Sequence, residues 1–259
     1  MFEPLILNAG ILIIGSLLWD KDRQEWRDER LDFARSELVC APIRYGRKSG
    51  ARRGHTYTMV FSQAAPAGCA KVVACSHTIN SANDLMFEAL KLWEAEALSR
   101  NTGRIAASWG CVALMCNPER NVPASLLNAW AQRVNSEPNY GNVSETGGEG
   151  SLISKEGILQ IGWPRRISGG AALDLDLLLV TANDPTLTGT PPSYPSVETI
   201  VTAWNNAVQE HAEYFWNNTD HGITTFQDDA IRAGLRPRQT KPSDPQRARA
   251  GLCRSVEVE

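Results

Sequence analysis

Two short stretches of the chain hold the residue types that acid/base chemistry on a small molecule requires. The first is the turn Ile14-Gly15-Ser16-Leu17-Leu18-Trp19, which follows the apolar run Ile11 to Ile14. A glycine directly after a buried strand allows positive φ or close approach of a ligand, and successive N–H groups in such a turn can point at a carbonyl or carboxylate oxygen. Ser16 adds a hydroxyl. The same residues fit an ordinary tight turn at a strand end, and alone they do not decide between the two.

The second stretch surrounds Trp93 and offers three glutamates, Glu88, Glu94 and Glu96. At roughly 100° per residue of helix, Glu96 falls within the arc of Leu85, Ala89, Leu92 and Trp93, whereas Glu88 and Glu94 fall outside it. A carboxyl group partly buried in an apolar wall has its pKa pushed upward by desolvation, which suits a general base working near neutrality. The competing role for Glu96 is an i,i+4 ion pair with Arg100 at the rim of the core.

Together these features resemble the γ-glutamylcyclotransferase-like family. That family opens with an aromatic-Gly-Ser-Asn/Leu-Leu turn after its first strand, similar to Ile14-Gly15-Ser16-Leu17-Leu18 here. A later helix carries a Leu-Asp-x-x-Glu or related motif whose last carboxylate is the acid/base, and Leu92-Trp93-Glu94-Ala95-Glu96 looks like it. The family's closing tyrosine, followed seven or eight residues later by glycine, is similar to Tyr214 through Gly222-Ile223-Thr224. The likeness spans most of residues 9–235 and departs from the family at two positions. Ile14 stands where the family has tyrosine, and Trp93 stands where an acid precedes the catalytic glutamate by three residues.

The resemblance implies an α+β fold, a small, mostly antiparallel β-barrel or curled sheet flanked by helices. It implies Glu96 as catalytic acid/base, with Ile14, Gly15, Ser16, Leu17, Leu18 and Tyr214 binding substrate. The partner would be a small γ-glutamyl amine or peptide that cyclises to 5-oxoproline as its amine leaves, without cofactor or metal. Arg44, Arg47 or Arg52 would add a carboxylate contact. Two other activities fit the same fold: a catalytically silent module binding a small molecule or protein, and an amide hydrolase in which water replaces the internal amine.

The elements that must position these residues follow from pattern. Ile11 to Ile14 reads as a buried strand, and Asp20 to Arg35 as a charged surface helix or loop. Val39 to Tyr45 and His55 to Phe61 are β-rich, and the basic stretch between them reads as a solvated hairpin. A strand is expected at Lys71 to Thr78, then a helix capped by Ser81 or Asn83 and running to Ala97. Further strands are expected at Ser108 to Cys116, Ile158 to Trp163 and Leu173 to Thr181, with a short helix at Ala124 to Val134. Asn139 to Ser151 is rich in Gly, Asn, Ser and Glu and reads as a loop, either a lid or an insertion. A helix is expected at Val197 to Phe215 and another from about Thr225. Residues 1–235 then form one domain with an insertion around 118–151, and residues 236–259 a polar, flexible tail.

Composition removes other classes. With 42% hydrophobic and 21% charged residues among 259, the chain has the make-up of a globular domain. A formal charge of −3 supplies no long-range attraction for nucleic acid or anionic lipid. Six cysteines without a C-x-x-C pair, and four scattered histidines, offer no structural zinc site and fit reduced thiols of a cytoplasmic protein. Asp228-Asp229 reads as a helix-dipole partner rather than a metal site. No apolar stretch has the length of a membrane span. The sequence leaves the oligomeric state open.

Overall fold

The computed structural model describes residues 5–100, 102–140, 145–146, 150–168 and 174–237. The tail from residue 238, and most of the loop at 141–149, lie outside the described residues. The chain forms an α+β fold around an eight-stranded mixed sheet. Strand β1 (Ala9–Ile13) is buried at every position and lies at the centre. It runs antiparallel to β4 (Ala67–Cys75) on one side and parallel to β10 (Leu177–Asn183) on the other. Beyond β4 come the 18-residue β2 (Leu31–Lys48) and β3 (Tyr57–Phe61). Beyond β10 come β6 (Gly110–Cys116) and the two-residue β5 (Ala106–Ala107). The short β9 (Arg165–Arg166) pairs with the middle of β2, and β7 (Glu145–Thr146) with β8 (Gly150–Ser151) makes a separate ribbon.

The sheet curls, bringing β3 within 8 Å of β10 between Cα atoms, but no ladder joins them. Among the described residues the sheet is therefore not closed into a barrel but is a mostly antiparallel curled sheet. The strand expected at Ile158 to Trp163 is also missing as an element. Ile158 and Leu159 make only isolated bridges, to Leu114 and Ile153.

Among the described residues six helices flank the sheet. Helix α2 (Ala82–Ala97) packs over β10 and β6, and Ser81 caps it by accepting the Asp84 N–H. Helix α3 (Ala124–Ser136) packs beside α2 and buries Trp130. The expected single helix at 197–215 is two, α4 (Val197–Asn206) and α5 (Gln209–Asp220), separated by extended backbone at Ala207 and Val208. A continuous helix would hold Trp204 and Phe215 about 16 Å apart along its axis. Instead the rings pack edge to face with centroids 5.7 Å apart, both against Tyr45. Burial of three aromatic rings offsets the helical hydrogen bonds given up at the two-residue break. Helix α6 (Asp228–Gly234) completes this cluster, with Asp228 accepting from both the N–H and hydroxyl of Thr225.

Helix α1 (Gln24–Arg30) and the short 3-10 turn Lys21–Arg23 correct the expectation of a surface segment at Asp20 to Arg35. Arg23 is only 1% exposed, Trp26 and Arg27 are buried, and the remainder of that segment already belongs to β2.

Candidate active site

Because β1 and β10 are parallel neighbours, their C-terminal ends emerge together from the middle of the sheet. Ile14 to Leu17 follow one strand, and Asn183 ends the other. Open α/β sheets commonly place ligands at such carboxyl ends. Here Ile14, Gly15, Ser16 and Leu17 line a cleft together with Glu96 and Tyr214. Thr181, Asn183, Arg47, Arg53, Thr58 and Met59 complete it.

The turn folds by using some of its own amides. Leu18 N–H bonds to Gly15 O at 3.0 Å, and Asp20 N–H to Ser16 O at 2.9 Å. Among the described residues the N–H groups of Gly15, Ser16 and Leu17 have no acceptor, which leaves three successive donors at the cleft wall. Leu18 is a correction: its amide is consumed by the turn, its side chain is buried, and it does not line the cleft.

Gly15 is required by contact. A Cβ there would fall closer than 3.0 Å to the Tyr214 hydroxyl oxygen, with the ring Cζ next at 3.4 Å. Tyr214 descends from α5, is held edge-on by Trp19 and Trp204, and accepts the Met59 N–H at 3.4 Å. Burial raises its phenol above the ordinary value, hydrogen bonding to Met59 and Asn218 opposes that, and the Glu96 charge adds to it. The phenol is thus a neutral hydroxyl at the cleft.

Glu96 lies in the last turn of α2, where a negative charge meets the negative end of the helix dipole at a cost of about 0.3–1 kcal/mol. It is partly buried, as helical phase requires. Its carboxylate makes no hydrogen bond or ion pair with the described residues. Arg100, the alternative partner, reaches Glu25 instead at 2.5 Å. Lys91 takes Glu94 at 2.8 Å. The placement of Glu88 outside the buried arc is corrected. It is 4% exposed and paired with Arg30, whose position at the end of α1 covers a flank of α2 that the apolar arc does not mark.

Two arginines absent from the expected site hold its halves together. Arg27 donates to Leu17 O at 3.0 Å and Asp20 O at 2.7 Å, clamping the turn from behind. Buried Arg23 pairs with Asp20 and reaches the backbone oxygen of Glu96 at 3.4 Å, tying the turn to the end of α2.

Of the basic residues, Arg47 enters the cleft. A β-bulge sets Tyr45 opposite Met59 but Arg47 opposite Thr58, so the two side chains take opposite faces although two residues apart. The Arg47 guanidinium stacks on Trp109 at 4.7 Å. Burial lowers its pKa, and the nearby Glu96 and Asp184 charges oppose this. Asp184, beside it, is pushed up to about 6 by burial and held back by Arg47. Arg44 stacks on Tyr194 and Phe226 and lines no part of the cleft. The Arg52 side chain lies outside the described residues.

Asn183 contributes a buried Oδ1 without a partner in the described structure. The cleft itself is narrow, about 30 Å³, room for about two waters. Arg47, Arg53, Thr58 and Glu96 also line an adjoining recess of about 220 Å³ with Trp109, Ser49 and Leu98. These four residues therefore border both the cleft and the recess.

Fold and cleft define an α+β protein with an open mixed sheet whose parallel central strands end at a small polar site. Comparison with protein-family models gives no match, and neither the curated proteins nor the solved structures yield one. Among the described residues no group of His, Cys, Asp and Glu is arranged to hold a metal, and no helix is long and apolar enough to cross a membrane.

Proposed function

We propose that the protein cyclises a γ-glutamyl amine or peptide to 5-oxoproline, with Glu96 as general acid/base. The observation that carries this reading is the convergence, in one cleft, of the Glu96 carboxylate, the free amides of Gly15 to Leu17 and the Tyr214 hydroxyl, from three distant parts of the chain. The substrate's α-amine attacks its own γ-carbonyl carbon, so a C–N bond forms within the substrate while the γ-amide C–N bond breaks. Glu96 takes the proton from the attacking nitrogen and returns it to the leaving nitrogen, a role worth typically 10²–10⁴ in rate. The Gly15 to Leu17 amides stabilise the developing oxyanion, Asn183 Oδ1 accepts from the α-amine, and Arg47 or Arg53 holds the α-carboxylate. No external nucleophile is needed.

The narrowness of the cleft and the isoleucine at position 14 favour a second reading, a silent binding module on the same fold. Incubation with a panel of γ-glutamyl amines and peptides separates the readings by mass spectrometry. Cyclisation yields 5-oxoproline, hydrolysis yields free glutamate, and ligand-induced thermal stabilisation without turnover identifies the silent module.

A further inference from the structure

Cys40 of β2 and Cys69 of β4 are direct partners across the antiparallel ladder. Directly opposed residues project on the same face of a sheet. The backbone of Cys69 is engaged elsewhere: its N–H bonds to Thr224 O at 2.7 Å, and its C=O accepts the Thr224 N–H at 3.0 Å. Cys40 and Cys69 are therefore the non-hydrogen-bonded kind of pair, in which Cα atoms sit about 4.5 Å apart and the side chains approach most closely. That separation lies within the roughly 4.4–6.8 Å that a disulfide spans.

Cys40 is exposed, Cys69 and Cys116 are partly exposed, and Cys75 and Cys111 are buried. Cys75 faces Leu31, Cys111 faces Ala182 and Ala106, and Cys116 faces Leu177. Among the described residues Cys40 and Cys69 are the one opposed pair. Burial raises the Cys69 thiol and the neighbouring Cys40 adds to it, as expected of two sulfurs in proximity.

We propose that Cys40 and Cys69 form a cross-strand dithiol that closes reversibly to a disulfide on meeting a low-molecular-weight disulfide oxidant. The exposed Cys40 thiolate attacks one sulfur of the oxidant and releases the first small thiol. Cys69 then gives up its proton and attacks the Cys40 sulfur, releasing the second. Two protein S–H groups become one S–S bond, and the oxidant's S–S bond becomes two thiols. The order follows from access, since the more buried thiol is the poorer first nucleophile but needs only an intramolecular attack in the second step. The bond fastens β2 to β4 beside the Cys69–Thr224 bridge, which anchors the segment following the Tyr214 helix.

Exposing the native full chain to oxidised glutathione, blocking free thiols with N-ethylmaleimide and digesting with trypsin without reduction tests this. Cleavage after Arg35, Arg44, Arg53 and Lys71 puts Cys40 in peptide 36–44 and Cys69 in peptide 54–71. The expected product is these two peptides linked, lighter than their sum by two hydrogen atoms and separated again by dithiothreitol. Cys69→Ser should instead retain glutathione on Cys40. Wild-type protein that retains glutathione on Cys40, or in which both thiols remain open to alkylation after prolonged exposure, overturns the proposal. Neither outcome depends on the activity proposed for the cleft.

Discussion

Substitution of Gly15 by alanine probes the contact on which the cleft is built. The added methyl falls closer than 3.0 Å to the Tyr214 hydroxyl oxygen, so one of the two must move. Tyr214 cannot swing freely, because Trp19 and Trp204 hold its ring at centroid distances of 5.6 and 6.0 Å. Overpacking of this kind costs about 1–3 kcal/mol. Stiffening of the unfolded chain by alanine returns about 0.4–1 kcal/mol, leaving a net loss of about 1–2 kcal/mol. In a Tyr214→Phe background the offending oxygen is gone and the nearest ring atom, Cζ, lies at 3.4 Å, an ordinary contact. There Gly15→Ala should be stabilising by about 0.4–1 kcal/mol, giving a coupling of about 1–3 kcal/mol in a double-mutant cycle. Urea unfolding followed by tryptophan fluorescence measures all four proteins. An equal cost of Gly15→Ala in both backgrounds would refute the contact.

Asp184 gives a pH-dependent prediction. Its pKa of about 6 in the folded protein stands above the unfolded value near 3.9, so the native state binds more protons between those values. Stability contributed by this group is therefore highest below about pH 4 and falls as pH rises toward 6. Discounted for its partial exposure, the penalty above pH 6 is about 1–2 kcal/mol. Asp184→Asn should gain that amount over wild type at pH 8 and nothing at pH 4; a difference independent of pH contradicts the assignment. Arg23→Met removes the tie between Asp20 and the Glu96 carbonyl and leaves the partly exposed Asp20 carboxylate with only the Asp22 N–H as donor. It should cost about 2–4 kcal/mol in chemical denaturation, and a loss below about 0.5 kcal/mol would show that the tie is not structural.

The local parts of this architecture were legible in the residues. Uninterrupted apolar character marks β1, and Ser81 with a 3.6-residue period marks α2 and puts Glu96 at the edge of its buried face. What escaped depends on contacts between distant segments. Burial of Arg23, Arg27 and Glu88 follows from α1 packing against α2, which no pattern within either helix encodes. The bulge after Tyr45 reverses the alternation that would send position 47 into the core, and one residue of register cannot be read from a basic run. Asn183 and Asp184 carried a usable signal. A polar pair that follows the apolar run Leu177 to Val180 after Thr181-Ala182 matches Gly15-Ser16 after Ile11 to Ile14, once the two strands are known to be parallel neighbours. Sheet closure was not legible, because alternation specifies which face is buried and not whether the edges meet.

The most direct test of the acid/base assignment replaces a single oxygen. Glu96→Gln preserves the size and hydrogen-bonding reach of the side chain while removing its ability to carry a proton between two nitrogens. With the best γ-glutamyl substrate of the panel, the rate of 5-oxoproline release should fall at least about 100-fold, while the thermal midpoint stays within about 2 °C of wild type and Glu94→Gln retains activity. Release of 5-oxoproline by Glu96→Gln at the wild-type rate would contradict the account.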